Sequence, residues 1–599
     1  MKNIIFGKLS SKIAMMLLVC MTLSVYANSL KNSFVWDDFS IIVNNGFVKS
    51  WDNFPRLFDK SYLTKYSDIN DFLEYRNGLD LGSGEFSYRP VVSASYFLDF
   101  SIWQLDPFGY HLTNLILHIL NTLLLFIFIG LITKNKTIAL LASLLFALHP
   151  VNTEAVNVIS FREDLLVFLF FILTFIFYIK STAASRAKAI ILYIISLVMF
   201  LLALFSKEMA VSFPAALVCY DYFFNKIHKG KEMFVHFRNY YLGYIGVLVF
   251  YFLVSFILMN NPGNLTAEYQ FSNFYTNIFT MSKVFATYFQ WLIFPFNIHP
   301  VWQNDVYLIA RSLFDPGVII SIALIVSILI FTVKIHKKFP IAAFASFWFF
   351  ITIIPVSNII PTLINYMAAR YLYLPTAGFC LATAFFLIKL PDSGLFRINT
   401  LILRKISVDT IIILLVFYSI FTVNSNMIFK NNTVFWLNMT EIYPRSASMH
   451  FSLGACFLKN GELDKAITEF QTAANLAPRD AKTHNSLGVC YRRKGIMSKA
   501  TDEFKQALQL NPAYTTAYTN LGNISAEQGL YPEAIKYFRK AIQLDKKYLT
   551  AYTGLSYVYV ELKEYKQIKE LWDQAIRSGL DHNGVKAHLD KLKQLGIYW

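Results

Sequence analysis

LLFALHPVNTEAVNVISFREDLL, residues 144–166, decides what kind of molecule this is. An apolar run stops at Pro150, which cannot carry helical hydrogen bonding onward, and another apolar run opens at Leu165. Between them stand Glu154, Arg162, Glu163 and Asp164, with little room for a solvated loop. Charges wedged this tightly between apolar runs point to a membrane protein, because each charge at membrane depth costs at least ~2.5 to 3.5 kcal/mol and is retained for a use.

The rest of the chain agrees. Its 599 residues are 55% hydrophobic, 17% aromatic and only 15% charged, against roughly 25% charge in an average soluble protein. A mean hydropathy of +0.44 excludes a soluble globular protein. Apolar runs recur from Ile13 to Val423 and then stop, so the sequence predicts an all-α chain: a polytopic membrane domain over 1–430 and a water-soluble helical domain over 431–599. Lys and Arg exceed Asp and Glu by 54 to 38, net +16. They cluster between apolar runs instead of along one face, which reads as membrane topology and not as a nucleic-acid footprint. Five cysteines with no CxxC give neither a disulfide framework nor zinc spacing.

A bilayer crossing takes roughly 20 apolar residues, and about eleven runs qualify or come close, the first near 13–30 and the last near 408–424. Several of these runs are short, so their boundaries are soft. The N-terminal lysines and the clusters Lys134/Lys136, Arg186/Lys188, Lys226 to Arg238, Lys334 to Lys338 and Arg397 to Lys405 fall in alternate loops, which places them on the cytoplasmic side and the C-terminal third outside. Counting 284–296 as a crossing would reverse Lys334 to Lys338, so this run is read as re-entrant or membrane-associated. The first run, ending Val25-Tyr26-Ala27, also has the look of a signal peptide; retention as a span is preferred, and either way the loop 31–110 lies outside. The outer compartment is a periplasm or cell exterior for a bacterial inner membrane, or a lumen for the endoplasmic reticulum.

After Arg445 the sequence repeats itself at the 34-residue period of tetratricopeptide units. Leu453-Gly454, Leu487-Gly488, Leu521-Gly522 and Leu555-Ser556 are in register, as are Phe470, Phe504, Phe538 and Trp572, and Ala473, Ala507, Ala541 and Ala575. Repeats are expected at 447–480, 481–514, 515–548 and 549–582, with 585–599 as a capping helix. Such arrays present an elongated groove for peptide segments or partner proteins. Cys456 and Cys490 occupy equivalent positions and read as small packed residues.

Six charged motifs map to the outer side. Val35-Trp36-Asp37-Asp38 opens the long outer loop; adjacent side chains on an extended chain point opposite ways, which suits one acid as base and the other as its structural partner better than a two-carboxylate clamp. Ser87-Tyr88-Arg89-Pro90 precedes Asp99 and then His111, Asn114 and His118, whose spacing of three and four puts them on one helical face, fit either for a metal or polar head group or for packing between helices. His149 and Glu154 follow at the end of one short span, and Arg162, Glu163 and Asp164 open the next. Lys207-Glu208 and Arg370-Tyr371 complete the set. Arg162, Lys207 and Arg370 are cations of the kind that hold a lipid phosphate, unless they serve only to pair acids such as Glu154 or Asp164.

FVWDDFSIIVNN (34–45), YRPVVSASYFLDF (88–100), PFGYHLTNLILHILN (107–121), FSKEMAVSFPA (205–215), RYLYLPTAGFCL (370–381) and, most specifically, HPVNTEAV with the RED that follows together resemble the transmembrane and tetratricopeptide-repeat family of protein O-mannosyltransferases, across essentially the whole chain. The resemblance implies a membrane glycosyltransferase of the GT-C fold that moves a sugar, mannose in the family, from a polyprenyl-phosphate carrier to Ser/Thr hydroxyls of an acceptor protein. It implies a general base at Asp37 or Asp38, with Asp37 preferred, and donor-phosphate contacts from Arg370, Arg162 and Lys207. Arg89, His111, His149, Glu154, Asp164, Glu208 and Tyr371 are further candidates. No metal ligand is assigned and no cofactor is required beyond the lipid-linked sugar, with metal dependence open. The chain departs from the family in reading Arg-Glu-Asp at 162–164 and in carrying only about four repeats. The competing functions are a non-catalytic membrane scaffold whose repeats bind envelope partners, and a GT-C enzyme acting on a lipid or glycan.

Overall fold

The computed structural model describes residues 9–58, 88–225, 234–258, 274–298, 309–359, 367–393 and 399–580, with 585, 589–590 and 592–594. Most of the outer loop between 59 and 87, the lysines of 226–233, Asn365, Tyr366, Arg397 and most of the expected capping helix lie outside the described residues. The chain divides into two compact units, the break falling between Phe435 and Trp436.

The first unit is helical throughout its described part: α1 (Ser11–Tyr26), α2 (Pro90–Trp103), α3 (Pro107–Thr133), α4 (Lys136–Leu148), α5 (Thr153–Asn157), α6 (Arg162–Thr182), α7 (Arg186–Leu204), α8 (Phe213–Tyr220), α9 (Leu242–Phe252), α10 (Phe274–Ile293), α11 (Pro316–Ile335), α12 (Pro340–Ile353), α13 (Tyr373–Lys389) and α14 (Thr400–Ile428). Local signals set the starts. Asp106 accepts from the Phe108 amide at 3.1 Å ahead of α3, Asn135 from Thr137 and Ile138 ahead of α4, and Asp315 from Gly317 at 2.8 Å ahead of α11. In α13, Gly378 lets the backbones meet: a Cβ there would sit 2.5 Å from the Ala345 carbonyl oxygen of α12.

Among the described residues eight helices are long and apolar enough to cross a membrane, or nine if the pair 136–148 and 150–157, bent by 53°, is one span. These account for eight of the eleven or so runs expected from the sequence, and the other three are short or bent. The run 137–150 is one arm of the bent pair; 210–224 yields only the short α8 followed by a π-helical turn at 221–225; and α12 with its 3₁₀ extension to Val356 is a shorter apolar helix. The run at 284–296 belongs to a helix that begins earlier, α10, which is not among the long apolar spans. The chain is a multi-pass membrane protein.

The second unit holds helix pairs at the tetratricopeptide period. After α15 (Asn432–Ile442), which spans the break, come α16 (Ala447–Lys459), α17 (Leu463–Leu476), α18 (Ala481–Arg493), α19 (Met497–Leu510), α20 (Thr515–Glu527), α21 (Tyr531–Leu544), α22 (Leu549–Glu561) and α23 (Tyr565–Arg577). A Cβ at Gly488 would lie 2.5 Å from Phe504 Cε1, so glycine there is what lets the aromatic ring seat under the facing helix. The last pair changes both partners together: Trp572 replaces the phenylalanine, and its indole donates to Ser556 Oγ, where the other repeats have glycine, at 3.3 Å. Cys456 and Cys490 are both buried as free thiols.

Candidate functional site

The acidic pair begins with a strained residue. Trp36 has φ 50°, a left-handed conformation that costs roughly 1–2 kcal/mol for a bulky side chain. It is held by packing against Phe161 (5.4 Å) and Phe435 (5.6 Å) and by an amide hydrogen bond to Asn432 Oδ1 at 3.0 Å. The kink turns the two carboxyls that follow into different surroundings. Asp38 accepts from the Val35 amide at 3.0 Å with one oxygen and from the Ser160 amide at 2.7 Å with the other. Asp37 is also buried, yet its Oδ1 has no hydrogen-bond partner among the described residues.

Their titration differs accordingly. Burial pushes Asp37 up to about 7, tempered by the nearby Arg370 charge and reinforced by Asp38, Glu163 and Glu154. Asp38 is pushed to about 6 by burial, with the Val35 and Ser160 amides working against the rise. One acid is tied into the fold, and the other is a buried, uncommitted carboxyl poised near neutrality.

Around the pair runs a chain of ions from separate loops. Arg89 bonds Glu163 and, at 2.8 Å, Glu208; Lys207 lies 2.8 Å from Glu163 and 2.7 Å from Asp164. Burial acts to lower the Lys207 ammonium, and the Asp164 and Glu163 carboxylates outweigh it, so it stays above the ordinary lysine value. Arg370 donates to Glu154 at 2.7 Å, and its own backbone amide donates to the second oxygen of that carboxylate at 3.0 Å. Its guanidinium stacks 3.7 Å over Phe161, and its Nε is buried without a hydrogen-bond partner among the described residues. Tyr371 is buried with the Lys207 ammonium 5.3 Å from its ring centre. Carboxylates outnumber cations here, and a proton resting on Asp37 relieves part of the excess.

Three of the sequence candidates are engaged in contacts within and between helices. Arg162 is fully buried and bound to Asp99 at 2.5 Å, Asn114 at 2.7 Å, Ser95 and the Tyr110 carbonyl. Its partner is neither Glu154 nor Asp164, and these contacts make it a tie between α2, α3 and α6. His149 accepts from the Val151 amide with Nδ1 and donates to the Leu292 carbonyl with Nε2 at 3.0 Å, so it closes the end of α4. The face of His111, Asn114 and His118 is polar packing: His118 joins Tyr373 at 2.7 Å and the Ala147 carbonyl, and Asn114 joins Arg162 and the Val156 carbonyl, while His111 is buried nearby. Among the described residues no group of three His, Cys, Asp or Glu is arranged to hold a metal.

Sequence reading missed an asparagine ladder beneath the site. Asn32 donates to Asn157, Asn157 to Asn426, and Asn426 to Asn28 and the Val25 carbonyl, at 2.8 to 3.0 Å. It ties the end of α1 and the turn carrying Asp37 to α5 and α14. The signal was present, since amides inside or beside apolar runs seek one another.

Comparison with known proteins bears on this arrangement. Tetratricopeptide-repeat families match residues 437–481, 458–515 and 515–548. The chain is 26% identical to the protein O-mannosyl-transferase F38B6.6 of Caenorhabditis elegans, covering 77% of this chain and 62% of that protein. It is 26% identical to human protein O-mannosyl-transferase TMTC1 over 75% of this chain and 54% of that protein, and 31% identical to human TMTC3 over 35% and 21%. It thus spans less than two thirds of the length of these relatives. A solved Pseudomonas aeruginosa PilF structure aligns with 27% of the chain and 81% of its own length at 21% identity, with a TM-score of 0.23.

Proposed function

From a chain related to the TMTC-type protein O-mannosyl-transferases, we propose a membrane glycosyltransferase that moves a sugar, mannose by that kinship, from a polyprenyl-phosphate carrier to Ser or Thr hydroxyls of proteins on the extracytoplasmic side. The observation that carries this reading is the Asp37 carboxyl, buried, raised to about 7 and lacking a partner on Oδ1 beside the Arg370 guanidinium. A base for hydroxyl activation is best when it titrates near the working pH, and a departing phosphate is best met by preorganised cations.

In the proposed reaction the acceptor oxygen attacks the anomeric carbon while the bond from that carbon to the phosphate oxygen breaks. The hydroxyl proton passes to Asp37, and the bonding pair leaves with the polyprenyl phosphate. Arg370 meets that phosphate, with Nε as the donor not committed to Glu154. Lys207 offsets part of the Glu163 and Asp164 charge and so limits the negative potential behind the phosphate. Asp38 holds the turn, and the repeats recruit the acceptor.

The test is transfer from synthetic polyprenyl-phosphate-mannose to a Ser/Thr peptide by purified full-length wild type, Asp37→Asn and Asp38→Asn. The expected result is transfer by wild type and a loss of at least about a hundredfold in Asp37→Asn, the variant remaining folded at the assay pH. Carrier binding without transfer of any carrier-linked sugar to peptide would overturn the protein acceptor. Absence of carrier binding would overturn the enzyme reading.

A further inference from the structure

A cavity of about 390 Å³ lies away from the ions just described, lined by Val218 and Cys219 of α8, Phe223 of the π-helical turn after it, Val333 of α11 with the following His336, and Phe347 of α12. Helix α8 leaves the Lys207-Glu208 segment and runs toward Asp221, so the cavity belongs to the opposite end of the bundle. Val218 and Val333 on its wall are about half exposed (51% and 56%), which marks an opening sideways between helices into the surrounding hydrocarbon. Its size is that of a small-molecule site.

The rim supplies a second, independent feature. Lys334, His336, Lys337 and Lys338 stand together where α11 turns into α12, with no carboxylate between Pro316 and Pro391 in the sequence. The three lysines make no ion pair among the described residues and are exposed, while the His336 Nδ1 faces the Val333 carbonyl at 2.5 Å. An apolar slot opening to lipid beneath an uncompensated cationic edge is complementary to an amphiphile with an apolar tail and a negative head.

We propose that this is a binding site for an anionic phospholipid of the bilayer, one acyl chain in the slot and the phosphate against His336, Lys337 and Lys338. The site does not rest on the glycosyltransferase reading, because it uses neither Asp37 nor Arg370. Its occupant bridges α8 to the α11–α12 turn and clamps helices too short or too exposed to hold each other well.

Cys219 in the wall provides the readout. Full-length protein is reconstituted in nanodiscs of phosphatidylcholine alone or with phosphatidylglycerol, and alkylation of Cys219 by N-ethylmaleimide is followed by peptide mapping, with exposed Cys20 as internal control. Phosphatidylglycerol is expected to slow Cys219 labelling at least about fivefold, leaving Cys20 unchanged. Lys337→Gln with Lys338→Gln should remove that protection while the melting temperature in phosphatidylcholine stays the same. Val218→Trp, a substitution at an exposed position that fills the slot, should lower phosphatidylglycerol retention in native mass spectra. Equal protection by both lipids, or protection that survives the double lysine variant, would overturn the proposal. So would stronger protection by a polyprenyl phosphate than by phosphatidylglycerol, which would assign the slot to a donor tail.

Discussion

Asp37 is a carboxyl whose burial has two measurable consequences. Its folded value of about 7 lies above the ordinary 3.8, so the folded state holds its proton more tightly than the unfolded chain does. The anion is costly to bury, and stability contributed at this position falls as pH climbs from about 4 through about 7, then levels off. Asp37→Asn removes the titrating proton, so its melting temperature relative to wild type should be higher at about pH 8 than at about pH 5, as scanning calorimetry in micelles at the two values would show. If the same carboxyl is the base, kcat/KM should rise with pH through an apparent value near 7 in wild type. Arg370 gives a second test at this scale. Lys at that position keeps charge but loses the stack on Phe161 and the Nη1 donor that meets Glu154. Arg370→Lys should therefore weaken carrier-phosphate binding about tenfold or more in a direct titration. That Asp37 and Asp38 differ was legible only as an alternative in the sequence. Asp38 is settled by the Ser160 amide, far along the chain, and no local pattern announces such a partner. The same holds for Arg162, whose acid, Asp99, is on another helix.

Helices were the most readable elements, because apolar runs and cap residues are local. Their interruptions were not. The bend of 53° after Leu148 depends on Pro150 and on His149 reaching the Leu292 carbonyl, and the shortness of α8 depends on Asp221. That carboxylate collects the Tyr178, Tyr241 and Asn225 side chains at 2.6 to 2.8 Å, with His236 at 3.0 Å, across three stretches of chain. Repeats announce themselves more fully, down to their turns. Gly461, Gly495 and Gly529 end the first helix of three repeats with φ of 80°, 77° and 73°, and the equivalent place in the fourth is Lys563 at φ 60°. A side chain there is strained by roughly 1–2 kcal/mol. Lys563→Gly should stabilise the last helix pair by about 1 kcal/mol after the greater freedom of the unfolded glycine is allowed for. Hydrogen exchange of full-length protein would report this as stronger protection within α22 and α23. Gly488→Leu should act oppositely, since a Cβ alone already lies 2.5 Å from Phe504, and overpacking of this kind costs about 1–3 kcal/mol.

At the scale of the whole membrane unit, charge is sorted by end. Lys134 and Lys136 flank the turn from α3 to α4, Arg186 and Lys188 open α7, and Lys334 to Lys338 join α11 to α12. Arg89 before α2, Lys207 after α7 and Arg370 before α13 are instead each matched by carboxylates. The two classes of cation obey different physics. The first group is exposed, makes no ion pair among the described residues and is of the kind that resists translocation; the second is buried and tolerated because Glu154, Glu163 and Asp164 pair with it. A chain inserted by the first rule would present the second group, and Asp37 with it, to the opposite compartment. Single cysteines placed in a chain lacking the native five test this directly. In sealed, right-side-out vesicles a membrane-impermeant maleimide should label a cysteine at Glu208, whose side chain is 44% exposed, and should leave one at Lys337 unlabelled until the vesicles are opened. The reverse pattern would put the carboxyl cluster in the cytoplasm, away from any acceptor delivered across the membrane. It would remove the extracytoplasmic transferase reading even if Asp37 still titrated near 7.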